Sequence, residues 1–328
     1  MTVLVTGGAG YIGSHTVRAL RADGRDVVVL DDLSTGYRKA LPADVPLVVG
    51  DIADTALVTG IVEEHGVDAC IHFAAKKSVS DSMLSPGSYF RVNTASALEL
   101  FEALHQSGVA RFVLSSTAAV YGTPSVVPVT EDLPLVPESP YGESKLLVER
   151  MLRWFDTCHG FRSVSLRYFN AAGAAPDGTI GEDFSQVQNL VPLVMKAVLG
   201  KRPPLELFGT DYPTADGTAI RDYIHVDDHA SAHVLAVEHL ERDGASDVLN
   251  LGTGIGSSVL DVIRTTERVT GQKVPLVERP RRPGDAVAVF ADNARAKTVL
   301  GWSATRTLDD IIESAWRWHR VHPDGFSA

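Results

Sequence analysis

A tyrosine and a lysine four positions apart, in the segment YGESK, are the residue types best suited to proton transfer in this sequence. The chain has eight tyrosines, and Tyr141 is the one followed by a lysine, Lys145, at that spacing. Residues four apart share one face of a helix, so the ammonium can lie beside the phenol. Because a phenol titrates at about pH 10, acting as a base near neutral pH requires a pKa depression worth about 4 kcal/mol.

The size of that depression depends on how dry the site is. A cation about 4 Å away contributes about 1 kcal/mol in bulk water but about 4 kcal/mol at an effective dielectric constant of about 20. Desolvation raises the pKa of a phenol, so a second cation, such as the ring of an oxidised nicotinamide, would help. The hydroxyl of Thr117 both donates and accepts, and can bridge a substrate oxygen and the phenol. The alternative interpretation makes Tyr141 a packing residue and Lys145 a solvated charge.

Glycines are frequent at the start of the chain, where VTGGAGYIG follows the apolar, β-rich run MTVLV. The next segment, SHTVRALRADG, has the apolar spacing of a helix, so the pattern predicts a strand, a glycine turn and a helix. Gly7, Gly10 and Gly13 recur every third residue, and Gly8, Gly10 and Gly13 also match G-x-G-x-x-G. Such a turn lets backbone approach a pyrophosphate at the positive end of a helix. It predicts a dinucleotide site.

Two aspartates, Asp31 and Asp32, end the second apolar run, GRDVVVLDD. A carboxylate at that strand end can accept hydrogen bonds from an adenosine ribose, and it would repel a 2′-phosphate. We therefore predict NAD rather than NADP as the cofactor.

Composition and charge narrow the class of protein. With 328 residues and a net charge of −11, the chain is long enough for a large core and lacks the basic stripe typical of nucleic-acid binders. Its two cysteines, Cys70 and Cys158, form no metal or disulfide pattern, which suits a reducing cytosol. The sequence shows no signal peptide and no apolar run long enough to span a membrane. We expect a cytoplasmic protein without a metal site.

Apolar β runs alternate with helical segments over the first half of the chain, which predicts a parallel sheet covered on both faces. The β runs are VPLVVGD, VDACIHFAA, RFVLSST and RSVSLRYFN, and the helical segments include DTALVTGIVEEHG and NTASALELFEALHQSG. Ligands bind beyond the carboxyl ends of such strands, where Ser115 and Thr117 lie. From about Ala174 onward Pro- and Gly-rich segments interrupt the alternation. We place a domain boundary near residue 176, and expect DVLNLGTG, near residue 250, to return to the first sheet.

Taken together, the motifs VTGGAGYIG, HFAA, SSTAAVYG, YGESK, RYFN and RDYIHV resemble the extended short-chain dehydrogenase/reductase family, in particular its nucleotide-sugar epimerases. The resemblance runs from Val3 to beyond Trp302. It implies an α/β fold with a doubly wound parallel sheet of the Rossmann type over residues 1–176, which binds NAD, and a smaller C-terminal α/β domain over residues 177–328, which binds a UDP-hexose.

The resemblance also implies a reaction and a set of site residues. Tyr141 removes the proton of the sugar 4-hydroxyl, the C4 hydride passes to NAD, the 4-keto sugar turns over, and the hydride returns to the opposite face. UDP-galactose and UDP-glucose are thereby interconverted. The catalytic residues implied are Tyr141, Lys145 and Thr117. The cofactor residues implied are Gly7, Gly10, Tyr11, Ile12, Gly13, Asp31, Asp32, Asp51, Ile52, Phe73, Ala74, Ala75, Lys77, Asn93, Ser115, Tyr141, Lys145 and Tyr168. The substrate residues implied are Thr117, Tyr141, Phe169, Asn170, Asn189, Leu190, Leu207, Phe208, Arg221, Tyr223, Arg282, Asp285 and Val289.

Two of these positions depart from the family pattern. Thr117 replaces a serine, which keeps the hydroxyl and adds a methyl group. Val289 stands where the family has a tyrosine in members restricted to plain hexoses and a smaller residue in members that accept an acetamido group. Because valine is smaller than tyrosine, we expect UDP-N-acetylhexosamines to be turned over as well.

Three other functions are open to a chain of this kind. Nucleotide-sugar dehydratases carry an acid pair after the threonine of the fifth strand, where this chain has Ala118 and Ala119, so the expulsion of water is poorly served. Decarboxylation of a sugar acid is disfavoured by the resemblance. A non-catalytic NAD-binding regulator typically lacks the tyrosine and the lysine, which are both present.

Two helical segments, over residues 93–107 and 141–158, carry apolar residues that serve either as core or as a partner surface: Leu98, Leu104, Leu147, Met151 and Trp154. The resemblance favours a homodimer through these helices.

Overall fold

The structure is a computed structural model that describes residues 1–184, 187, 189–282 and 284–327. Its strands are β1 (Thr2–Thr6), β2 (Asp26–Asp31), β3 (Leu47–Val49), β4 (Val67–His72), β5 (Arg111–Thr117), β6 (Arg162–Tyr168), β7 (Asn170–Ala172), β8 (Leu205–Phe208), β9 (Ile220–Arg221), β10 (Tyr223–His225), β11 (Asp247–Leu251), β12 (Ser257–Ser258), β13 (Leu276–Arg279) and β14 (Ala288–Val289). Its helices are α1 (Tyr11–Ala22), α2 (Thr55–His65), α3 (Val79–Leu84), α4 (Pro86–Tyr89), α5 (Ser96–Gln106), α6 (Pro140–His159), α7 (Leu190–Val198), α8 (Val226–Glu241), α9 (Val259–Thr270), α10 (Ala294–Leu300) and α11 (Leu308–Val321). Short 3₁₀ segments lie at Arg38–Ala40, Ala118–Tyr121 and Gly325–Ser327.

Seven parallel strands form the central sheet, in the order β11-β6-β5-β4-β1-β2-β3. The strand order reverses direction along the chain at β1, since β2 and β3 lie on one side of it and β4, β5 and β6 on the other. This is the doubly wound arrangement, and it confirms the predicted fold class. All carboxyl ends of these strands point to one edge of the sheet, where the resemblance places the ligand sites.

Two apolar layers cover the faces of the sheet. On one face, Val17 and Leu20 of α1 and Val237 of α8 pack in one cluster with the strands. On the other face, the cluster includes Phe101 of α5 and Leu152 of α6. Strands buried on both faces explain the near-continuous apolar runs of the sequence, such as VVVL in β2.

The helix predicted over NTASALELFEALHQSG begins irregularly. Residues Phe90–Ala95 form a π-helical segment, and regular α-helix follows from Ser96. Asn93 lies within the π segment, where its buried amide bonds the backbone of Lys76: Oδ1 accepts from the Lys76 N–H at 2.8 Å, and Nδ2 donates to the Lys76 carbonyl at 3.0 Å. A π segment of this kind often marks a functional site.

Beyond residue 176 the chain builds smaller sheets around a third apolar cluster. The three-stranded sheet has the order β12-β9-β14, β13 pairs with β8, and β10 pairs with β7, which precedes residue 176. The cluster joins α7, α9 and α11 through residues such as Val194, Ile263 and Ile312. The chain returns to the central sheet at β11, which pairs with β6. The division into domains at residue 176 stays a prediction. Among the described residues, no helix has the length and apolar character needed to cross a membrane.

Candidate active site

The glycine turn between β1 and α1 packs tightly against the backbone of the neighbouring strand. Gly7 has a φ of +69°, and a Cβ added there would lie 2.5 Å from the backbone nitrogen of Ala74, beyond β4. A Cβ at Gly13 would lie 2.3 Å from the Gly7 carbonyl oxygen. The first turn of α1, with Gly10 as its N-cap and no side-chain cap, therefore presents free backbone N–H groups in a cradle without side chains. These features fit the pyrophosphate of a dinucleotide.

The aspartates after β2 lie beside that cradle. The buried carboxylate of Asp31 accepts from the backbone N–H groups of Ala9 and Leu33, each at 2.9 Å, and its remaining lone pairs can accept from a ribose. Burial raises the pKa of Asp31, and the two backbone hydrogen bonds act against that rise. Asp32 bonds the backbone and hydroxyl of Ser34 instead.

The other residues implied for the cofactor follow the strand ends along the same edge. Tyr11 and Ile12 open α1, and the Tyr11 hydroxyl donates to the Gly173 carbonyl at 2.7 Å. The remaining positions are Asp51 and Ile52 after β3, Phe73, Ala74, Ala75 and Lys77 after β4, Asn93 in the π segment, Ser115 in β5 and Tyr168 at the end of β6. Ser115 and Tyr168 exchange a hydrogen bond of 2.8 Å between their hydroxyls.

Thr117 and Tyr141 meet where β5 and α6 approach each other. Thr117 ends β5, and its hydroxyl accepts from the Ala119 N–H at 3.1 Å. The Thr117 side chain also acts to lower the pKa of the Tyr141 phenol, against the rise caused by burial. Helix α6 begins there because Ser139 caps it, accepting from the Gly142 N–H, and because Pro140 occupies its first position. That the Thr117 hydroxyl bridges the Tyr141 phenol and a substrate oxygen stays a prediction.

The pKa values of Tyr141 and Lys145 differ from those that their four-residue spacing alone would give. Burial raises the pKa of Tyr141, and the hydrogen bond from Thr117 only partly offsets the rise. Lys145 is 3% exposed, and burial lowers its pKa to about 8, opposed by the Glu149 carboxylate. The physical reason is that both side chains are buried, and desolvation is the largest influence on each pKa: it raises the pKa of the phenol and lowers that of the ammonium. A second positive charge near the phenol would act against the rise.

Two of the predicted substrate positions are arginines, Arg221 in β9 and Arg282 in the segment before β14. Arg221 lies 4.0 Å from the Asp285 carboxylate, and Arg282 bonds the same carboxylate at 2.9 Å. The Arg282 guanidinium also stacks over the Phe208 ring, 4.7 Å from its centroid. One carboxylate thus holds two guanidinium groups and an aromatic ring together, which suits a diphosphate and a base. Pro283, in the same segment, lies outside the described residues.

The remaining substrate positions divide into two groups. Phe169 and Val289 pack in one apolar cluster with Val120 and Leu146, close to the catalytic helix, and Val289 pairs in register with Arg221. The Asn170 amide donates to the Asp222 carbonyl at 3.0 Å.

The second group lies in or beside the core of the C-terminal region. Leu207 and Tyr223 are 4% and 7% exposed and belong to its apolar cluster, and their contact with substrate stays a prediction. Asn189 and Leu190 stand at the start of α7, at the edge of that cluster.

The sequence analysis missed a buried ion pair that joins α6 to β6. The carboxylate of Glu149 receives the Arg167 guanidinium through two bonds, Nε to Oε1 at 3.0 Å and Nη2 to Oε2 at 2.5 Å. Half of this pair could have been predicted from the sequence, since Glu149 continues the four-residue spacing of Tyr141 and Lys145. Its partner on β6 could not have been predicted, because nothing in the spacing relates the two elements.

Comparisons with known proteins show the family to which the chain belongs. The sequence matches the NAD dependent epimerase/dehydratase family over residues 3–252, and the chain belongs to that family. Among its relatives, a UDP-glucose 4-epimerase of Azospirillum brasilense is 51% identical, covering 97% of this chain and 92% of the relative.

Two solved structures are similar over nearly their whole length. A UDP-glucose-4-epimerase from Stenotrophomonas maltophila with bound NAD and formylated UDP-arabinopyranose has a TM-score of 0.96 and 41% identity, covering 98% of this chain and 99% of that one. A UDP-Glc/GlcNAc 4-epimerase from Campylobacter jejuni has a TM-score of 0.87 and 38% identity, covering 98% and 99%. Family membership confirms NAD, predicted from the glycine turn and Asp31, as the cofactor.

Proposed function

We propose that this chain is a UDP-glucose 4-epimerase, an isomerase that interconverts UDP-galactose and UDP-glucose through a transient 4-keto sugar. The observation that carries the proposal is that Thr117 ends β5 and that Tyr141 and the buried Lys145 lie in the first turns of α6, at the sheet edge that also holds the glycine cradle. The similarity to UDP-glucose 4-epimerases over nearly the whole chain supports it.

The chain's own residues supply binding and proton transfer. The Tyr141 phenol takes the proton of the sugar 4-hydroxyl and later returns one, while the Thr117 hydroxyl bridges phenol and sugar oxygen. When bound, NAD supplies a reversible hydride acceptor and, in its oxidised form, the positive ring that the raised pKa of Tyr141 calls for. Lys145 contributes a buried positive charge one helical turn away. Proton transfer by a positioned side chain accelerates a reaction by about 10²- to 10⁴-fold.

Turnover of the keto sugar requires a firm hold on the nucleotide and a loose one on the hexose. We infer that Arg221 and Arg282 bind the diphosphate and that Phe208 contacts the uracil, because these groups converge on Asp285. Asn170 and Asn189 complete the proposed substrate contacts. The rotating hexose would lie against the apolar cluster that holds Phe169 and Val289.

UDP-N-acetylhexosamines form a second proposed substrate class. Val289 is half-buried at the edge of the cluster near the catalytic helix, where a tyrosine would fill more space. One structural relative is a UDP-Glc/GlcNAc 4-epimerase. The expected outcome is interconversion of UDP-GlcNAc and UDP-GalNAc by the purified protein. A protein active on UDP-galactose and inert on both acetylated sugars would contradict this proposal.

A homodimer through α5 and α6 is the proposed assembly. Leu98 on α5 is 37% exposed and Trp154 on α6 is 61% exposed, so both present apolar surface, whereas Leu104 is fully buried and serves the core. Leu147 and Met151 are half-buried. Size-exclusion chromatography with light scattering is expected to give twice the chain mass, and a Trp154→Glu variant is expected to give the monomer. A monomeric wild type would contradict it. Cytoplasmic placement stays a prediction.

The epimerase proposal is tested by incubating the purified protein with UDP-galactose and following the anomeric proton signals by NMR. The expected result is a mixture with UDP-glucose, formed without added cofactor. A Tyr141→Phe variant is the control for contaminating activity, since it keeps the ring and removes the phenol hydroxyl. Release of water or carbon dioxide from a nucleotide sugar, without epimerisation, would favour a dehydratase or decarboxylase instead.

A further inference from the structure

A ladder of three functional groups runs along one face of α6. Tyr141, Lys145 and Glu149 follow one another at four-residue intervals, and the last two are 3% and 8% exposed. Among the described residues, Glu149 forms no hydrogen bond with Thr117 or with the glycine turn. Its position one turn below Lys145 nevertheless places a carboxylate within electrostatic reach of the buried ammonium.

The Glu149 carboxylate connects the elements that carry the site. Ser116, which precedes Thr117 in β5, donates to Oε1 at 2.5 Å. Arg167, which precedes Tyr168 in β6, donates to both oxygens. The same guanidinium donates to the Tyr121 hydroxyl at 2.8 Å, and that hydroxyl donates to Asn250 of β11 at 2.8 Å. One buried network thus ties α6 to three strands of the sheet.

We propose that Glu149 is a positioning residue: bonds to Ser116 of β5 and Arg167 of β6 hold its carboxylate one helical turn from Lys145, where it supplies a balancing negative charge to the buried ammonium and fixes α6 against the sheet. The proposal rests on the proposed epimerase function only through the assay. An ion pair that served only stability would not need to place its carboxylate on the same face of α6 as Lys145. A buried pair is also weak evidence of a contribution to stability, because desolvation of two ions offsets their attraction.

Titratable and charged groups on three elements, α6, β4 and β6, bear on this argument. On α6 itself, Tyr141 lies one turn before Lys145 and Glu149 one turn after it. From β4, His72 faces the lysine; burial and the nearby ammonium lower its pKa to about 3, so it is neutral. From β6, Arg167 carries a positive charge that partly cancels Glu149. Within this set the Glu149 carboxylate is the group that favours a charged Lys145, and burial opposes it.

The decisive variant is Glu149→Gln, which removes the charge and keeps the shape. Without the carboxylate, Lys145 loses its proton at a lower pH, so the alkaline limb of the kcat profile is expected to move down by about one pH unit. Glu149→Asp keeps the charge and is expected to leave the limb near its wild-type position. Tyr121→Phe is the matched control, because it removes one hydrogen bond from the same network without changing a charge, and only stability is expected to fall.

A second readout does not use activity. NMR of isotope-labelled lysine ε-carbons follows the Lys145 titration directly, with a Lys145→Met variant for assignment. The Lys145 midpoint is expected to fall by the same interval in Glu149→Gln as the limb of the kcat profile. If Glu149→Gln does not fold, Glu149→Met combined with Arg167→Met removes both charges with apolar groups of similar size. It is still expected to lower the midpoint, but by less, because the loss of the Arg167 charge offsets part of the loss of the nearer Glu149 charge.

The outcomes separate the two proposals. A wild-type protein that binds NAD and never epimerises UDP-galactose overturns the proposed function, while the NMR titration still tests Glu149. If the wild type is active but the alkaline limb and the Lys145 midpoint are unchanged in both variants that remove the Glu149 charge, the role of Glu149 is overturned. The proposed function then stands.

Discussion

Removing Arg167 leaves a buried carboxylate without its counter-ion, and the cost follows from the geometry. The Arg167 and Glu149 side chains are 4% and 5% exposed, so water cannot replace the lost partner. In an Arg167→Met variant, Glu149 keeps Ser116 as its only side-chain hydrogen-bond donor among the described residues. Breaking a buried pair in this way costs about 3–5 kcal/mol. For a chain of 328 residues that corresponds to a fall in Tm of about 4–7 °C.

The loss depends on pH with a definite sign. An unpaired buried carboxylate has a folded-state pKa above its unfolded value, so the folded state binds a proton more readily. The destabilisation is therefore full at pH values above the folded pKa and shrinks as the pH falls through it, because protonation removes the buried charge. We expect the difference from wild type to be larger at pH 8 than at pH 5.

The assay is urea unfolding of wild type and variant at both pH values, with saturating NAD. Arg295→Met is the matched control, because Arg295 pairs with Asp247 at 2.6 Å but is 44% exposed. That loss is expected to stay below about 1 kcal/mol at either pH. A loss of similar size for the two variants, or one that does not change between pH 5 and pH 8, would refute the reasoning.

Three further predictions concern the site. Tyr141→Phe is expected to lower kcat by about 10²- to 10⁴-fold while the purified protein still releases NAD on denaturation; loss of the nucleotide would contradict a purely chemical role. Gly13→Ala is expected to abolish retention of NAD, because its Cβ would lie 2.3 Å from the Gly7 carbonyl oxygen, whereas Gly60→Ala in α2, with open space around it, is expected to stabilise the fold by about 0.5–1 kcal/mol. Equal NAD occupancy in the two variants would contradict the cradle. Val289→Tyr is expected to reduce turnover of UDP-GlcNAc far more than that of UDP-galactose, measured as the ratio of kcat/KM values, and an unchanged ratio would exclude Val289 as the determinant.

Local patterns predicted the parts of the fold that depend on local physics. The glycine turn follows from positive φ and close backbone approach, both of which glycine alone permits at Gly7. The parallel sheet follows from apolar runs alternating with helices, and the shared face of Tyr141 and Lys145 follows from helical geometry. Each of these features can be read within a short stretch of chain.

Other features depend on which elements meet in space. The ion pair of Glu149 with Arg167 joins a helix to a strand, and no spacing rule relates them. Burial of Leu207 in the C-terminal core depends on the packing of α7 and α9. The direction of the pKa shift of Tyr141 could not be predicted from the sequence, because burial raises this pKa and nearby hydrogen bonds and positive charges lower it. The structure shows that burial is the largest effect.

The most direct test of the account follows the hydrogen on the sugar carbon. UDP-galactose deuterated at C4 is incubated with the purified protein, without added cofactor, and the product is examined by NMR. The account predicts UDP-glucose with deuterium retained at C4, because the same hydrogen leaves and returns within one closed site. UDP-glucose that carries solvent hydrogen at C4, or no UDP-glucose from a protein shown to contain NAD, would contradict it.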